Sequence, residues 1–272
     1  MTIDPTVSEW LNLFGRWFHV FAGILWVGTT YFFTWLDGRF TAEEKSTAQE
    51  NAAGQVWMVH SGGFYVVEKR KTPSQRELHW FRWEAALTWI SGMLLLTIVY
   101  YLGGALIDRD VRDISVGAAT AIGLGLLVVS WFAYDFLSRS PLGRNEMVFA
   151  LVSYILLVCV AYGLTHVMSG RAAYIHVGAM LGTLMAANVW LRILPAQRQL
   201  IAATKEGKQP DAALAARAKL RSKHNTYMVV PVVFTMISNH FPVATYGDRY
   251  HWAILAVLIL VGWGAAMLIR RA

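Results

Sequence analysis

The side chains best able to do chemistry in this chain are its histidines, and two of them stand where histidine is costly. His19 and His176 lie within long apolar runs, flanked by the small residues Gly15, Ala22 and Gly23 and by Gly178, Ala179 and Gly182. Ionisable groups at membrane depth are expensive and usually functional. Two imidazoles on facing helices can hold a haem iron from both sides, and small neighbours let a flat macrocycle approach the backbone. The same small residues serve close helix packing, and a single buried histidine serves as well as an interhelical hydrogen-bonding group. The expectation carried forward is haem b, with His19 and His176 as the candidate iron ligands. His166 and His240, near the same boundary, are alternates.

A second group gathers in and beside a long polar segment. His60 is followed by Gly62, Gly63, Phe64 and Tyr65, and His79 by Trp83 and Glu84, while His224 and Asn225 adjoin the sixth apolar run. Paired glycines permit close approach of a ligand. Aromatic faces, imidazoles, an amide and a carboxylate suit a flat, polar, anionic heterocycle. A histidine or Glu84 can remove a proton from such a molecule. The expected catalytic residues are His60, His79, Glu84, His224 and Asn225, with Gly62, Gly63, Phe64, Tyr65 and Trp83 in contact with substrate. The bland alternative is a solvated loop with its aromatics resting on the membrane interface.

The elements that must position these residues are membrane spans. A span needs about 20 mostly apolar residues, and seven segments qualify or nearly so: 11–36, 81–104, 114–137, 147–168, 172–194, 226–241 and 252–269. The sixth is short and contains Pro231, with a helical-looking stretch 211–223 leading into it. Seventeen Lys and Arg fall in one alternate set of connecting segments and four in the other. The positive-inside rule puts the richer set in the cytoplasm. The N-terminus is then outside and the C-terminus inside. The fold class expected is all-α, a polytopic bundle of about seven transmembrane helices, in a single integral membrane domain over residues 1–272.

Charged residues are only 15% of the chain and hydrophobic ones 56%, which excludes an ordinary soluble domain. The net charge of +7 follows from the cytoplasmic loops and gives no reason to expect nucleic acid. Cys159 is the single cysteine, so an internal disulfide or a cysteine-rich metal site is excluded. No P-loop, GxSxG, HExxH or CxxCH motif occurs, and haem c attached covalently to this chain is not expected. Many tryptophans fall near span ends and read as an interfacial belt. Two segments, 37–79 and 195–224, are too long to be simple connectors.

The strings RWFHVFAGILWVG (16–28), VHSGGFYVVEK (59–69), HWFRWEA (79–85), HNTYM (224–228) and ISNH (237–240) together resemble the membrane domain of the bacterial cytochrome-c-linked urate oxidases. The resemblance implies oxidation and hydration of urate to 5-hydroxyisourate, with electrons passed to a cytochrome c and no peroxide formed, in the bacterial inner membrane. In that family a c-type cytochrome domain follows the membrane domain. Without a CxxCH motif here, a separate cytochrome c or another acceptor is the expected partner, besides urate and the lipid bilayer. Two other readings stay open: a membrane haem b subunit that only carries electrons, and a transporter of a small anion.

Overall fold

The computed structural model describes residues 5–46, 54–70, 78–247 and 249–271. Seven helices correspond one to one with the seven expected spans. They are α1 (Pro5–Ser46), α2 (Trp83–Tyr101), α3 (Val116–Arg139), α4 (Glu146–Thr165), α5 (Gly170–Lys205), α6 (Ala212–Ile237) and α7 (His251–Arg271). Five of them, α2 to α5 and α7, are long and apolar enough to cross a membrane. The chain is an all-α, multi-pass membrane protein. In α1 the apolar run is diluted by threonines, but each of Thr29, Thr30 and Thr34 donates its hydroxyl to the carbonyl one turn back, which satisfies the group without water. α6 is apolar only in its second half, as the short sixth run anticipates.

Helix starts follow the local sequence. Ser115, Asn145, Ser169 and Asp211 each accept hydrogen bonds from backbone N–H groups of the first turn of α3, α4, α5 and α6, as N-cap residues do. α5 is the central element. Its N-terminal half is buried almost all round, from Ala172 through Val177 and on to Met185, and it packs against α2, α3, α4 and α6. α1 runs along α2, and α7 packs on α4 and α6. Outward-facing Val129, Phe132 and Phe136 on α3 and Leu151 and Ile155 on α4 are exposed, as a lipid-facing surface requires.

Two helices change winding where polar residues cluster. α2 ends in a π-helical turn, Thr97–Tyr101, and α5 contains another at Asn188–Ile193. π turns widen a helix locally and concentrate at functional sites.

The long segment 37–79 is not a plain loop. α1 continues to Ser46, and an antiparallel hairpin follows, β1 (Gln55–His60) and β2 (Gly63–Glu68). Its register runs from Gln55 opposite Glu68 to His60 opposite Gly63. Ser61 and Gly62 both have positive φ, 49° and 78°, as a two-residue type I′ turn demands. One hairpin face packs Val56, with Met58 and Val67, onto Leu36, Phe40 and Trp35 of α1. The other long segment, 195–224, is absorbed by extensions of α5 and α6, with Gly207 at φ 69° between them.

Candidate functional site

The residues expected to surround a heterocycle separate into three groups at the end of the bundle that carries the basic connecting segments. On the hairpin, His60 and Gly62 are exposed near the tip and Gly63 lies under the Tyr65 ring. Phe64 is 81% exposed and Tyr65 51%, so neither is enclosed here. Glu68 is held by Arg70 at 2.7 Å and by the Gln55 amide at 2.7 Å. These hydrogen bonds, the Arg70 one foremost, keep its carboxyl below the usual carboxylate range.

The second group is the entry to α2. The His79 ring meets Phe81 edge-on at 4.6 Å, and Phe81 meets Phe33 of α1 at 4.9 Å. The guanidinium of Arg82 lies over Trp83, and Trp83 in turn meets Trp190 of α5 edge-on, with centroids 6.0 Å apart. Beneath them, buried Ala85 packs with Val189 and Leu194, enclosed by Trp26, Trp80 and Trp190. Three polar atoms in this corner are buried without a hydrogen-bond partner: Arg82 Nε, Glu84 Oε2 and Trp190 Nε1. Each orphaned buried group costs about 1–3 kcal/mol, more when charged. Native structures keep such groups where a ligand or a catalytic role accounts for them. A donor cation, an indole donor and a carboxylate are what a planar anion with carbonyl and N–H edges requires.

The third group faces away from the hairpin. Asn225 donates to the Met185 carbonyl at 3.1 Å and accepts from the Asn188 amide at 2.9 Å. Asn188 also donates to Tyr134 Oη at 2.9 Å, and the Tyr134 hydroxyl is 2.8 Å from His224 Nδ1. The His224 ring stacks on Phe149 of α4 at 4.6 Å with planes 9° apart. Asp135 closes this layer. Its carboxylate takes Arg192 Nε at 2.8 Å and Arg221 Nη2 at 2.7 Å, and Arg192 adds a second bond. His224 and Asn225 thus serve a layer between α3, α4, α5 and α6. It is separated from the Arg82 corner by the width of α5.

The opposite half of the bundle holds the other histidines. His19 Nδ1 lies 3.0 Å from the Thr88 carbonyl and 3.0 Å from Ser91 Oγ, and its ring rests on Gly92, where a Cβ would come within 3.0 Å. His176 is wholly buried. Its Nδ1 lies 2.8 Å from the Ala172 carbonyl, and its Nε2 lies 3.2 Å from the Tyr101 hydroxyl. The carbonyl can only accept, so Nδ1 carries the proton and Nε2 accepts from Tyr101. The two imidazoles meet α2 at different levels, one at Thr88–Gly92 and one at Tyr100–Tyr101. About nine residues of helix correspond to roughly 13 Å of rise. His19 and His176 are therefore not set across one iron, and His176 Nε2 is turned to the Tyr101 hydroxyl. These residues do not fit a haem held between them. His166 is exposed, with Nδ1 2.7 Å from the Tyr162 carbonyl, and His240 is exposed on the turn after α6.

Trp190 and Arg82 are the residues of this corner that sequence reasoning passed over. Trp190 reads as one more tryptophan near a span end, and the π turn that carries it has no residue pattern of its own. The adjacency of Arg82 to Trp83 and Glu84 was the available signal. Compared with known protein families, residues 5–271 match the model of the urate oxidase N-terminal family. No curated protein and no solved structure matches the chain.

Proposed function

We propose, from the premise that the chain belongs to the urate oxidase N-terminal family, that it oxidises urate at the cytoplasmic end of the bundle. The reaction is urate plus water to 5-hydroxyisourate, two protons and two electrons. A C–O bond forms at C5, one of the two carbons shared by the fused rings, and the electrons leave to a separate acceptor, for which the family resemblance offers a cytochrome c. The membrane is the bacterial inner membrane, and the loop charges put the site on its cytoplasmic side.

The observation that carries this reading is the trio of buried unpartnered atoms, Arg82 Nε, Glu84 Oε2 and Trp190 Nε1. Arg82 binds the urate anion, and Trp190 donates its indole N–H to a ring carbonyl. The edge-on pair of Trp83 and Trp190 forms one apolar wall beside it. Glu84 takes the proton from a urate N–H or from the attacking water, a general-base role that needs only hydrogen-bond reach. His79 and the exposed hairpin residues His60, Phe64 and Tyr65 stand at the approach.

The test is urate loss in membranes containing the chain, with a soluble electron acceptor and with peroxide monitored. Acceptor-dependent loss without peroxide, absent from control membranes, is expected. No loss in membranes where the folded protein is present would overturn the reading and move the weight to an electron carrier or a transporter.

A further inference from the structure

A cavity of about 820 Å³ opens between α3, α4, α5, α6 and α7, on the far side of α5 from the Arg82 corner. Its walls are apolar, with Leu126, Leu157, Leu181 and Trp263 among them. Its rim is exposed where the bundle meets lipid, Val129 by 66% and Leu156 by 49%. A small-molecule site of this size is ordinary, and a few directed polar groups give it specificity.

Two donors supply that specificity. Ser153 Oγ is buried, lines the cavity and has no hydrogen-bond partner. A serine inside a helix commonly bonds the carbonyl one turn back, so this orphan is informative. His224 also lines the cavity. Tyr134 accepts from Asn188 Nδ2, so its own hydroxyl proton is free to go to His224 Nδ1. That places the imidazole proton on Nε2, which has no protein acceptor among the described residues. The stacked ring of Phe149 provides a flat apolar wall beside it. The one cation at the mouth, Lys223, is already taken by Glu146 at 2.7 Å and 2.6 Å.

We propose that this cavity binds a lipid-soluble quinone, whose carbonyl oxygen accepts from His224 and Ser153 while its tail leaves towards the bilayer. A phospholipid would bring a phosphate to a mouth where Lys223 is neutralised by Glu146, and its acyl chains would leave both donors unused. A quinone uses both. The proposal rests, for its redox role, on the reading of the Arg82 corner as the urate site. Asn188 belongs to the Tyr134–His224 layer, and Trp190 stands two residues on, about 3 Å of rise away and on the opposite face of α5. The quinone, in place of the cytochrome c that the family resemblance offers, then takes the two electrons and two protons released by urate and water. Both its C=O groups become C–O–H, two O–H bonds form, and the hydroquinone returns to the membrane.

The experiment uses the full chain in nanodiscs of neutral phosphatidylcholine, with a decyl-substituted benzoquinone as probe. Binding is read by quenching of tryptophan fluorescence. Urate-dependent reduction is read with the quinone and, separately, with ferricyanide. Saturable binding is expected. It should weaken by about tenfold or more in His224→Phe, which loses a directed hydrogen bond, and in the cavity-filling variant Ser153→Phe. Thermal unfolding confirms that each variant is folded. Ser153→Phe should keep urate-dependent ferricyanide reduction and lose urate-dependent quinone reduction. Ferricyanide reduction in wild type together with quinone binding that neither variant weakens overturns the quinone site alone. A phospholipid that copurifies with wild type and is lost from Ser153→Phe, with no quinone binding, overturns it in favour of lipid. Cavity-dependent quinone binding with no urate-dependent reduction of either acceptor overturns the urate reading and the acceptor role with it, and leaves the quinone site standing.

Discussion

Replacing Asp135 with alanine should destabilise the bundle more than most single changes, and the layer around it sets the size of the effect. The Asp135 side chain is 10% exposed and that of Arg221 6%, so removing the carboxylate strands a buried guanidinium. Arg221 would keep two long hydrogen bonds, both at 3.4 Å, to the Asn188 side chain and to the main-chain carbonyl of residue 135, and its place over the Tyr134 ring, none of which neutralises its charge. Arg192 is 38% exposed on its side chain and can turn to water, and Arg139 is 67% exposed at 3.5 Å. The exposed Arg139 contact is worth at most about 1 kcal/mol. Breaking the buried pair costs about 3–5 kcal/mol, or a fall in Tm on the order of 10 °C for a chain of this length. The assay is thermal unfolding in detergent followed by tryptophan fluorescence. Asp135→Leu combined with Arg221→Met should recover most of the loss, since apolar replacement of a whole buried pair is often neutral. An Asp135→Ala protein that melts with the wild type, or a double variant no more stable than the single, would refute the reasoning.

Three further outcomes follow from contacts elsewhere. Gly123→Ala places a Cβ 2.7 Å from His176 Nε2 and 3.0 Å from the Tyr101 hydroxyl; it should cost about 1–3 kcal/mol, read as a lowered Tm in the same assay. Gly62→Val puts a β-branched residue at φ 78°, at a cost on the order of 1–3 kcal/mol, and limited proteolysis should then cut the hairpin faster while the helical core stays intact. Arg70→Ala removes the main cause of the depressed Glu68 carboxyl; a carboxylate with a lowered folded-state pKa adds stability above its unfolded pKa and loses it as pH falls through the folded one, so a carboxyl-selective NMR titration should show the Glu68 midpoint rising towards the ordinary value.

The spans were legible because they rest on long-range composition. Apolar runs and loop charge point one way, and α6 was visible as a helical-looking stretch leading into the Pro231 run. The hairpin was legible in principle, since Ser61 and Gly62 sit between two alternating β-branched and aromatic strings, but its glycines read equally well as a ligand loop. Facing was not legible. His224 and Asn225 share the correct end of the membrane with His60 and His79, yet the rotation of α6 turns them onto α3, α4 and α5. The level of His19 relative to His176 was not legible, because α1 is 42 residues long and counting from the first apolar residue does not locate His19 against α2. The corner around Arg82 is visible only once orphaned atoms are known, and sequence carries no record of which polar atoms find partners.

The most direct test of the Arg82 corner compares wild type with Glu84→Gln and Trp190→Phe, measuring urate binding and peroxide-free urate turnover on the same preparations. Glu84→Gln keeps the shape and removes the base, so binding should persist while turnover falls by about 100-fold or more. Trp190→Phe removes one hydrogen bond to the ring, so binding should weaken by about tenfold. Variants that bind and turn over urate as wild type does would contradict the assignment of this corner as the active site.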